Sequence, residues 1–244
     1  MADGAGDSAT AVPELSAIVL SYRAGEAIRR VIDPLHEDLE RSGVTYELVL
    51  VANYAEGRDD DTPDVVRRFA ADHPNVVVVA EPKQGAMGWD MRSGFAAASG
   101  NYMVVIDGDE QNPVEDVVRM YRQMKQTDAD VMKGRRIARF DGVTRRMQSQ
   151  GYNVLFRLVY RTRGLWDING KPKGITRAAY ERMDLSSDDW FADSEIVIQA
   201  WRQKMAIVEM PVVFLANRER DSLVDFGDVF EFVGNVFRHL GRRG

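Results

Sequence analysis

Apolar positions along the chain follow two alternating patterns. Residues 15–21 (LSAIVLS), 47–52 (ELVLVA), 76–80 (VVVVA) and 102–106 (YMVVI) are short, β-branched and apolar at almost every position. Unbroken apolarity, rather than apolarity at every second residue, marks strands covered on both faces. Between these runs the apolar residues take helical spacing. Residues 27–41 place Ile28, Val31, Ile32, Leu35 and Leu39 on one face, and residues 63–71 do the same with Val65, Val66, Phe69 and Ala70. Residues 87–99 and 114–126 continue the alternation. The order predicts an α/β domain, with an open, mostly parallel central sheet and helices on both faces. Ligands of such sheets bind at the carboxyl ends of the strands. The loops there are SYRAGE, NYAEGRDDDTP, EPKQGAMG and DGDEQNP.

The second half is less regular. Residues 144–166 are basic and partly apolar, DINGKPKG is rich in turn formers, residues 193–204 read as a helix and residues 207–215 as a strand. Residues 224–240 space Phe226, Val229, Phe230, Val233, Val236, Phe237 and Leu240 along a helical stripe with arginines behind it. No internal repeat or long linker is evident. The expected organisation is a leader over residues 1–13, one domain over 14–222, and a C-terminal amphipathic helix with a basic tail over 223–244.

Composition narrows the classes. The chain of 244 residues, 45% hydrophobic, can bury a substantial core, and its net charge of −6 argues against a nucleic-acid binder. Basic islands nevertheless stand at residues 133–139, 145–146 and 238–243. The chain has no cysteine, which excludes disulfides and thiolate metal sites and makes a reducing cytoplasm the expected location. The opening MADGAGDSATAV is small, polar and acidic, unlike a secretory signal, and reads as a disordered leader. No window approaches the ~18 uninterrupted apolar residues of a spanning helix. Any membrane contact is therefore expected to be peripheral, from the inner face.

The stretch VVIDGDEQNP carries the clearest chemistry. An apolar strand runs into Asp107, Gly108, Asp109 and Glu110, and Gly108 lets the backbone turn so that the two aspartates converge. Hard divalent ions such as Mg²⁺ or Mn²⁺ take oxygen ligands, commonly one or two carboxylates completed by water and phosphate. Two readings stand on the residues alone: an acidic surface turn, or a metal site at the rim of the sheet. Gln111 could add a carbonyl oxygen or hold a metal-bound water.

The run LSAIVLSYRAGEAI, ELVLVAN and EPKQGAMGWDMRSGFAAASGNYMVVIDGDEQNPVEDV resembles the amino-terminal half of family 2 glycosyltransferases with the GT-A fold, the Rossmann-like fold of nucleotide-diphospho-sugar transferases. RRMQSQGYNVLFRLVY, DINGKPKGITRAAYERM and FADSEIVIQAWRQKMAIVEMPVVF are similar to the polyprenol-phosphate mannose or glucose synthase branch. The likeness spans about residues 15–222. It implies that Ser21, Tyr22 and Glu26 touch the base and ribose, and that the loop at Asn53 also holds the base. The family usually has an Asp-Asp-Gly-Ser type of run there, and this departure leaves UDP- and GDP-linked donors both open. Lys83, Gly85 and Arg92 match the side that holds ribose and diphosphate, with a helix amino terminus behind them. The resemblance makes Asp107 and Asp109, with Gln111, the site of Mg²⁺ or Mn²⁺, counts Asp107 and Gly108 among the nucleotide-sugar contacts and Asp109 among the catalytic residues, and leaves Glu110 to the surface turn.

In the second half the resemblance implies that Arg136 is catalytic and that Arg146 and Lys173 bind acceptor or donor phosphate. Arg218 and Ser222 of NRERDS match a closing segment, although the expected Gly before the Ser is missing and Leu223 stands where Lys is common. Asp193 and Glu195 are implied to face sugar and acceptor, one serving as base for a hydroxyl acceptor; Asp193 also reads as a helix cap. Trp190 reads equally as core or as a sugar-stacking wall. The implied activity is inverting, metal-dependent transfer of a hexose from a nucleotide diphosphate sugar to a polyprenyl phosphate. Transfer to a hydroxyl acceptor, and a non-catalytic sugar-nucleotide-binding subunit, are the alternatives. The helix at 224–240 would dock on the domain, on a partner subunit in a homodimer, or on a membrane surface.

Overall fold

A computed structural model describes residues 12–139, 143–162, 164–216 and 234. Most of the expected leader, the C-terminal helix and its tail, Arg218 and Ser222 lie outside the described residues, as does the side chain of Arg146.

The four apolar runs are strands: β1 (Leu15–Leu20), β2 (Tyr46–Val51), β3 (Val76–Val79) and β4 (Tyr102–Asp107). Helices α1 (Arg29–Ser42), α2 (Thr62–Ala71), α3 (Met87–Ala97) and α4 (Glu115–Thr127) alternate with them. Further along come β5 (Val131–Arg139), α5 (Val143–Tyr160), β6 (Lys173–Thr176), α6 (Arg177–Glu181), α7 (Ala192–Arg202) and β7 (Ile207–Phe214). The sheet order is β3-β2-β1-β4-β6-β5-β7, and β6 alone runs against its neighbours.

Both faces of the sheet are covered, which is why its strands lack a polar alternation. Leu15, Ala17 and Val19 of β1 point toward α1, α2 and α4, packing with Leu35, Leu39, Phe69 and Met120. Ile18 and Leu20 point the other way, toward Met91 and Phe95 of α3 and Ile196 of α7. A smaller cluster joins Phe156 and Tyr160 of α5 to Ile168, Phe191 and Val197. It fixes α5 and the 165–172 loop against α7.

β5 and β6 were not expected as strands. β5 carries Lys133, Arg135 and Arg136, and β6 is only KGIT. Lys133 is nonetheless fully buried, its ammonium donating to the Asp167 carbonyl at 2.7 Å and pairing with Glu209 of β7. Internal ion pairs thus replace the apolar pattern that would have revealed β5. Above it the 165–172 loop crosses backbone to backbone: a Cβ on Gly170 would stand 1.8 Å from the Gly134 carbonyl oxygen. The Gly134 N–H donates to the Pro172 carbonyl at 2.8 Å, and the Lys171–Pro172 peptide is cis. No helix among the described residues is long and apolar enough to cross a membrane.

Candidate active site

The carboxyl ends of β1, β2 and β4 meet along one rim. Asp107 pairs in register with Leu20, and the Gly108 N–H extends that pairing by donating to the Leu20 carbonyl at 2.9 Å. A Cβ at Gly108 would lie 2.9 Å from the Leu20 carbonyl oxygen and 2.6 Å from Ile28 Cδ1, so the tight passage from Asp107 to Asp109 favours glycine. Glu110, at φ 62°, turns outward to Arg30 at 3.4 Å. It is the surface residue of the acidic trio.

Asp107 is one-third exposed and Lys171 is buried beneath it, their charged atoms 2.5 Å apart. The Lys171 Nζ also lies 3.1 Å from Met87 Sδ, and its carbonyl accepts from Asn112 Nδ2 at 2.9 Å. Burial pulls the Lys171 ammonium down, but Asp107, Asp193 and Asp109 outweigh it and hold it above its ordinary value. Burial and the neighbouring Asp107 push Asp109 up to about 6, against a 3.1 Å hydrogen bond from the Gln111 N–H. Two carboxylates that repel each other at a strand end suit a divalent cation that finds its remaining ligands on phosphate and water. No group of three or more His, Asp or Glu side chains suited to a metal exists among the described residues. Asp107 and Asp109 are a pair of the kind Mg²⁺ and Mn²⁺ accept.

Two more ion pairs continue behind Lys171. Lys173 is fully buried; its ammonium donates to Asp193 Oδ1 at 2.6 Å and to the Asp193 carbonyl at 2.9 Å. Burial draws it down to about 8 despite Asp193. Arg136 grips Asp167 with two hydrogen bonds, Nε to Oδ2 at 2.7 Å and Nη2 to Oδ1 at 2.6 Å. Burial alone would raise Asp167, but Arg136 overrides it and holds the carboxyl below its usual range. Glu209 receives the Trp166 and Asp167 N–H groups at 2.7 and 3.0 Å, and Asn153 Oδ1 receives that of Ile168 at 3.0 Å. The bonds at Trp166, Asp167 and Ile168 anchor the loop that delivers Lys171 to the acidic pair.

The model of the family described as glycosyl transferase family 2 matches residues 16–207. The chain belongs to glycosyl transferase family 2. Among its relatives, Glycosyltransferase AglD of Haloferax volcanii is 27% identical over 206 residues, covering 82% of this chain and 32% of the relative. A Dolichol-phosphate mannosyltransferase of Pyrococcus furiosus is 24% identical over 241 residues, 95% of this chain and 65% of the relative. The chain thus spans from about a third to just under two thirds of the length of these two. Glucosyl-3-phosphoglycerate synthase from Mycobacterium tuberculosis, crystallised with Mn²⁺, UDP and phosphoglyceric acid, superposes with a TM-score of 0.73 at 18% identity, over 95% of this chain and 80% of that one. The fold is GT-A.

Within that family fold, the expected site residues of the first half make the following contacts. Asn53 is buried and occupied: Nδ2 donates to Asp90 Oδ1 at 3.0 Å and Oδ1 accepts the Glu81 N–H at 3.0 Å. It braces the loop. Lys83 pairs with Asp90 and lies over the Tyr22 ring at 4.2 Å, so these two first-half residues do come together. Ser21 is buried with its hydroxyl toward the Val19 carbonyl at 3.4 Å, and Glu26 pairs on the surface with Arg68. The start of α3 is not free for an anion. Its Gly88 and Trp89 N–H groups donate to the Asp189 and Asp188 carbonyls at 3.0 and 3.2 Å, and Gly85 is pressed against Asp188. Arg92 pairs with Asp188 and lines a cleft whose walls include Glu81, Trp89 and Tyr180 but neither Asp107 nor Asp109.

In the second half the expected residues are likewise engaged within the fold. Lys173 cannot meet a phosphate because it is sealed against Asp193, and the adjacent cation at the acidic pair is Lys171. Glu195 is buried and accepts from the Ser186 and Ser187 N–H groups at 2.8–3.1 Å, which anchors that loop. Arg136 is committed to Asp167. Gln111 Nε2 donates to the Leu215 carbonyl at 3.1 Å, tying the end of β7 to the acidic loop. Asp90, Lys133, Lys171 and Glu209 were missed; an isolated charge inside an apolar or turn-rich run has no periodicity to announce it.

Proposed function

We propose that this chain transfers a hexose from a nucleotide diphosphate sugar to a polyprenyl phosphate, with inversion, using Mg²⁺ or Mn²⁺. The observation that carries the reading is the Asp107–Asp109 pair at the end of β4 with Lys171 buried beneath it. Asp107 and Asp109 would hold the divalent ion, which when bound supplies Lewis-acid neutralisation of the departing diphosphate. Lys171 adds a fixed positive charge at the same place, in a buried setting where it counts for more than in water. Lys83, over Tyr22 on the neighbouring loop, extends the cationic rim.

The two carboxylates expected as bases are both engaged, which supports an acceptor that needs none. A phosphate monoester is already an anionic nucleophile and needs no strong base. Asp193 is closed off by Lys173, and Glu195 is spent on backbone N–H groups. The relatives named Dolichol-phosphate mannosyltransferase and Dolichyl-phosphate beta-glucosyltransferase support a lipid phosphate. The second reading, a hydroxyl acceptor on a small phosphorylated molecule, is favoured by the solved neighbour that binds phosphoglyceric acid.

Incubation with radiolabelled UDP- and GDP-sugars and Mn²⁺, with polyprenyl phosphate in one arm and phosphoglycerate in another, separates the two. Label in the lipid phase supports the first reading, and label in a water-soluble product supports the second. Failure of UDP and GDP to bind with Mn²⁺ in calorimetry would overturn both, including the non-catalytic version.

A further inference from the structure

The loop between β4 and α4 carries the acidic pair, and its next two residues fasten it to other parts of the chain. Gln111 gives its N–H to Asp109 Oδ1 at 3.1 Å and exchanges two further bonds with Leu215. Its Nε2 donates to the Leu215 carbonyl at 3.1 Å, and the Leu215 N–H donates to the Gln111 carbonyl at 2.8 Å. Asn112 is 3% exposed, and its Nδ2 donates to the Lys171 carbonyl at 2.9 Å. Pro113 follows and restricts the Asn112 backbone, which limits where that amide can point.

The Asn112 bond reaches the root of the side chain whose tip faces the acidic pair. Lys171 Nζ lies 2.5 Å from Asp107 Oδ1, so one stretch, residues 107–112, holds this lysine at both ends. A lysine stem is flexible along its four carbons, and a charge carried on it is poorly placed unless something fixes it. The Trp166, Asp167 and Ile168 N–H groups, and the Gly134 N–H on the Pro172 carbonyl, tie the 165–172 loop to β7, α5 and β5. None of these four bonds joins it to the acidic loop. Asn112 does.

The amide also carries a penalty that points to its purpose. Asn112 Oδ1 is buried and has no hydrogen-bond partner among the described residues. A buried acceptor without a donor is destabilising, and an apolar side chain of similar size would avoid it. Packing alone does not account for an asparagine here; the donor aimed at Lys171 does.

We propose that Asn112 is a positioning residue for the transfer reaction. Its amide fixes Lys171 relative to Asp107 and Asp109, so that the cation and the two carboxylates keep their spacing when a metal ion and a diphosphate arrive. Charge that is already in place stabilises a departing anion without reorganisation, and a small displacement forfeits much of that effect. In purpose the inference rests on the metal-dependent reading; the placement of Lys171 does not, and the test separates them.

The test is Asn112→Leu, which lacks the donor, in the wild-type and the Lys171→Gln backgrounds. The change removes one unpaired buried atom and leaves the Lys171 carbonyl as another, so the thermal midpoint should move little. Asn112→Ala, which lacks the donor and adds no bulk, is the second variant should Leu disturb the fold. Isotope-edited NMR of the lysine ammonium groups reads the placement directly, the Lys171 resonance being identified by its loss in Lys171→Gln. Asn112→Leu should shift or broaden that resonance and leave the Lys173 ammonium, held by Asp193, as it was. In calorimetry with Mn²⁺ alone, Asn112→Leu should tighten binding roughly threefold, because a lysine released at its root competes less well for Asp107. In the Lys171→Gln background the same change should have no effect, the non-additivity that marks residues acting through one another. An unchanged Lys171 resonance, or an equal change in Mn²⁺ affinity in both backgrounds, would overturn the proposal. A wild type that binds no Mn²⁺ defeats the metal reading, and the NMR result then decides the placement by itself.

Discussion

Asp109→Asn should stabilise the metal-free protein, and only above the titration of the carboxyl it replaces. Burial and Asp107 raise Asp109 from 3.8 to about 6. In the unfolded chain it returns to its ordinary value, so between those values the folded state holds the proton more tightly. Stability contributed by that proton is fully present below pH ~4 and is lost as pH rises through about 6. Raising the carboxyl from 3.8 to about 6 corresponds to roughly 3 kcal/mol at pH 8, the cost of ionising a buried group beside Asp107. Asn keeps the shape and an acceptor for the Gln111 N–H but carries no charge. In EDTA, thermal unfolding followed by circular dichroism should give a variant midpoint near that of the wild type at pH 4.5 and roughly 5–10 °C higher at pH 8, given about 2–4 °C per kcal/mol for a domain of this size. With Mn²⁺ and the cognate nucleotide diphosphate the order should reverse, because binding to the folded state stabilises the wild type alone. An equal shift at both pH values, or a variant less stable than wild type in EDTA at pH 8, would refute the view that the two aspartates repel each other while awaiting a cation.

Other expectations follow from the same geometry. Lys171→Gln should bind Mn²⁺ alone roughly tenfold more tightly in calorimetry, since unit charges a few Å apart at a partly exposed site interact by about 1–4 kcal/mol; weaker binding would show that the lysine organises the aspartates and does not compete for them. Asn53→Asp, which restores the residue type usual in the family, should cost about 1–3 kcal/mol in urea unfolding, because it loses the Nδ2 donor and sets a second carboxylate against Asp90. It should not improve nucleotide binding. Asp167→Asn should cost about 3–5 kcal/mol by leaving Arg136 buried with a neutral partner. A loss below ~1 kcal/mol would return Arg136 to the set of residues free to meet a phosphate.

What the sequence revealed divides along a physical line. β1 to β4 and the helices between them were legible because burial on both faces writes itself into local apolar runs, and Asp107 and Asp109 were legible because a strand end places them. β5 was hidden because its inward residues are Lys133 and Arg136, whose partners Glu209 and Asp167 lie 76 and 31 residues away. Lys171 was hidden for the same reason, being 64 residues from Asp107 in a run that reads as a turn. The resemblance supplied residue types in the right order, but it could not say that Asn53, Glu195 and Lys173 already have partners within the fold.

Those hidden pairs have a common consequence at the site. From the cleft inward the order is Asp107, Lys171, Asp193 and Lys173: Lys171 touches Asp107 and also feels Asp193, whose carboxylate is held by Lys173. Charge alternates along this line, so the interior members neutralise one another and leave little net field of their own. Asp109 stands outside the alternation, with no ion pair among the described residues, and burial together with Asp107 raises its proton affinity. A cation added at the rim completes the series there, and a diphosphate arriving with it meets a surface already backed by Lys171. Such an arrangement would suit a ligand that brings both signs together, as the proposed metal–nucleotide complex would and a neutral sugar or a bare anion would not.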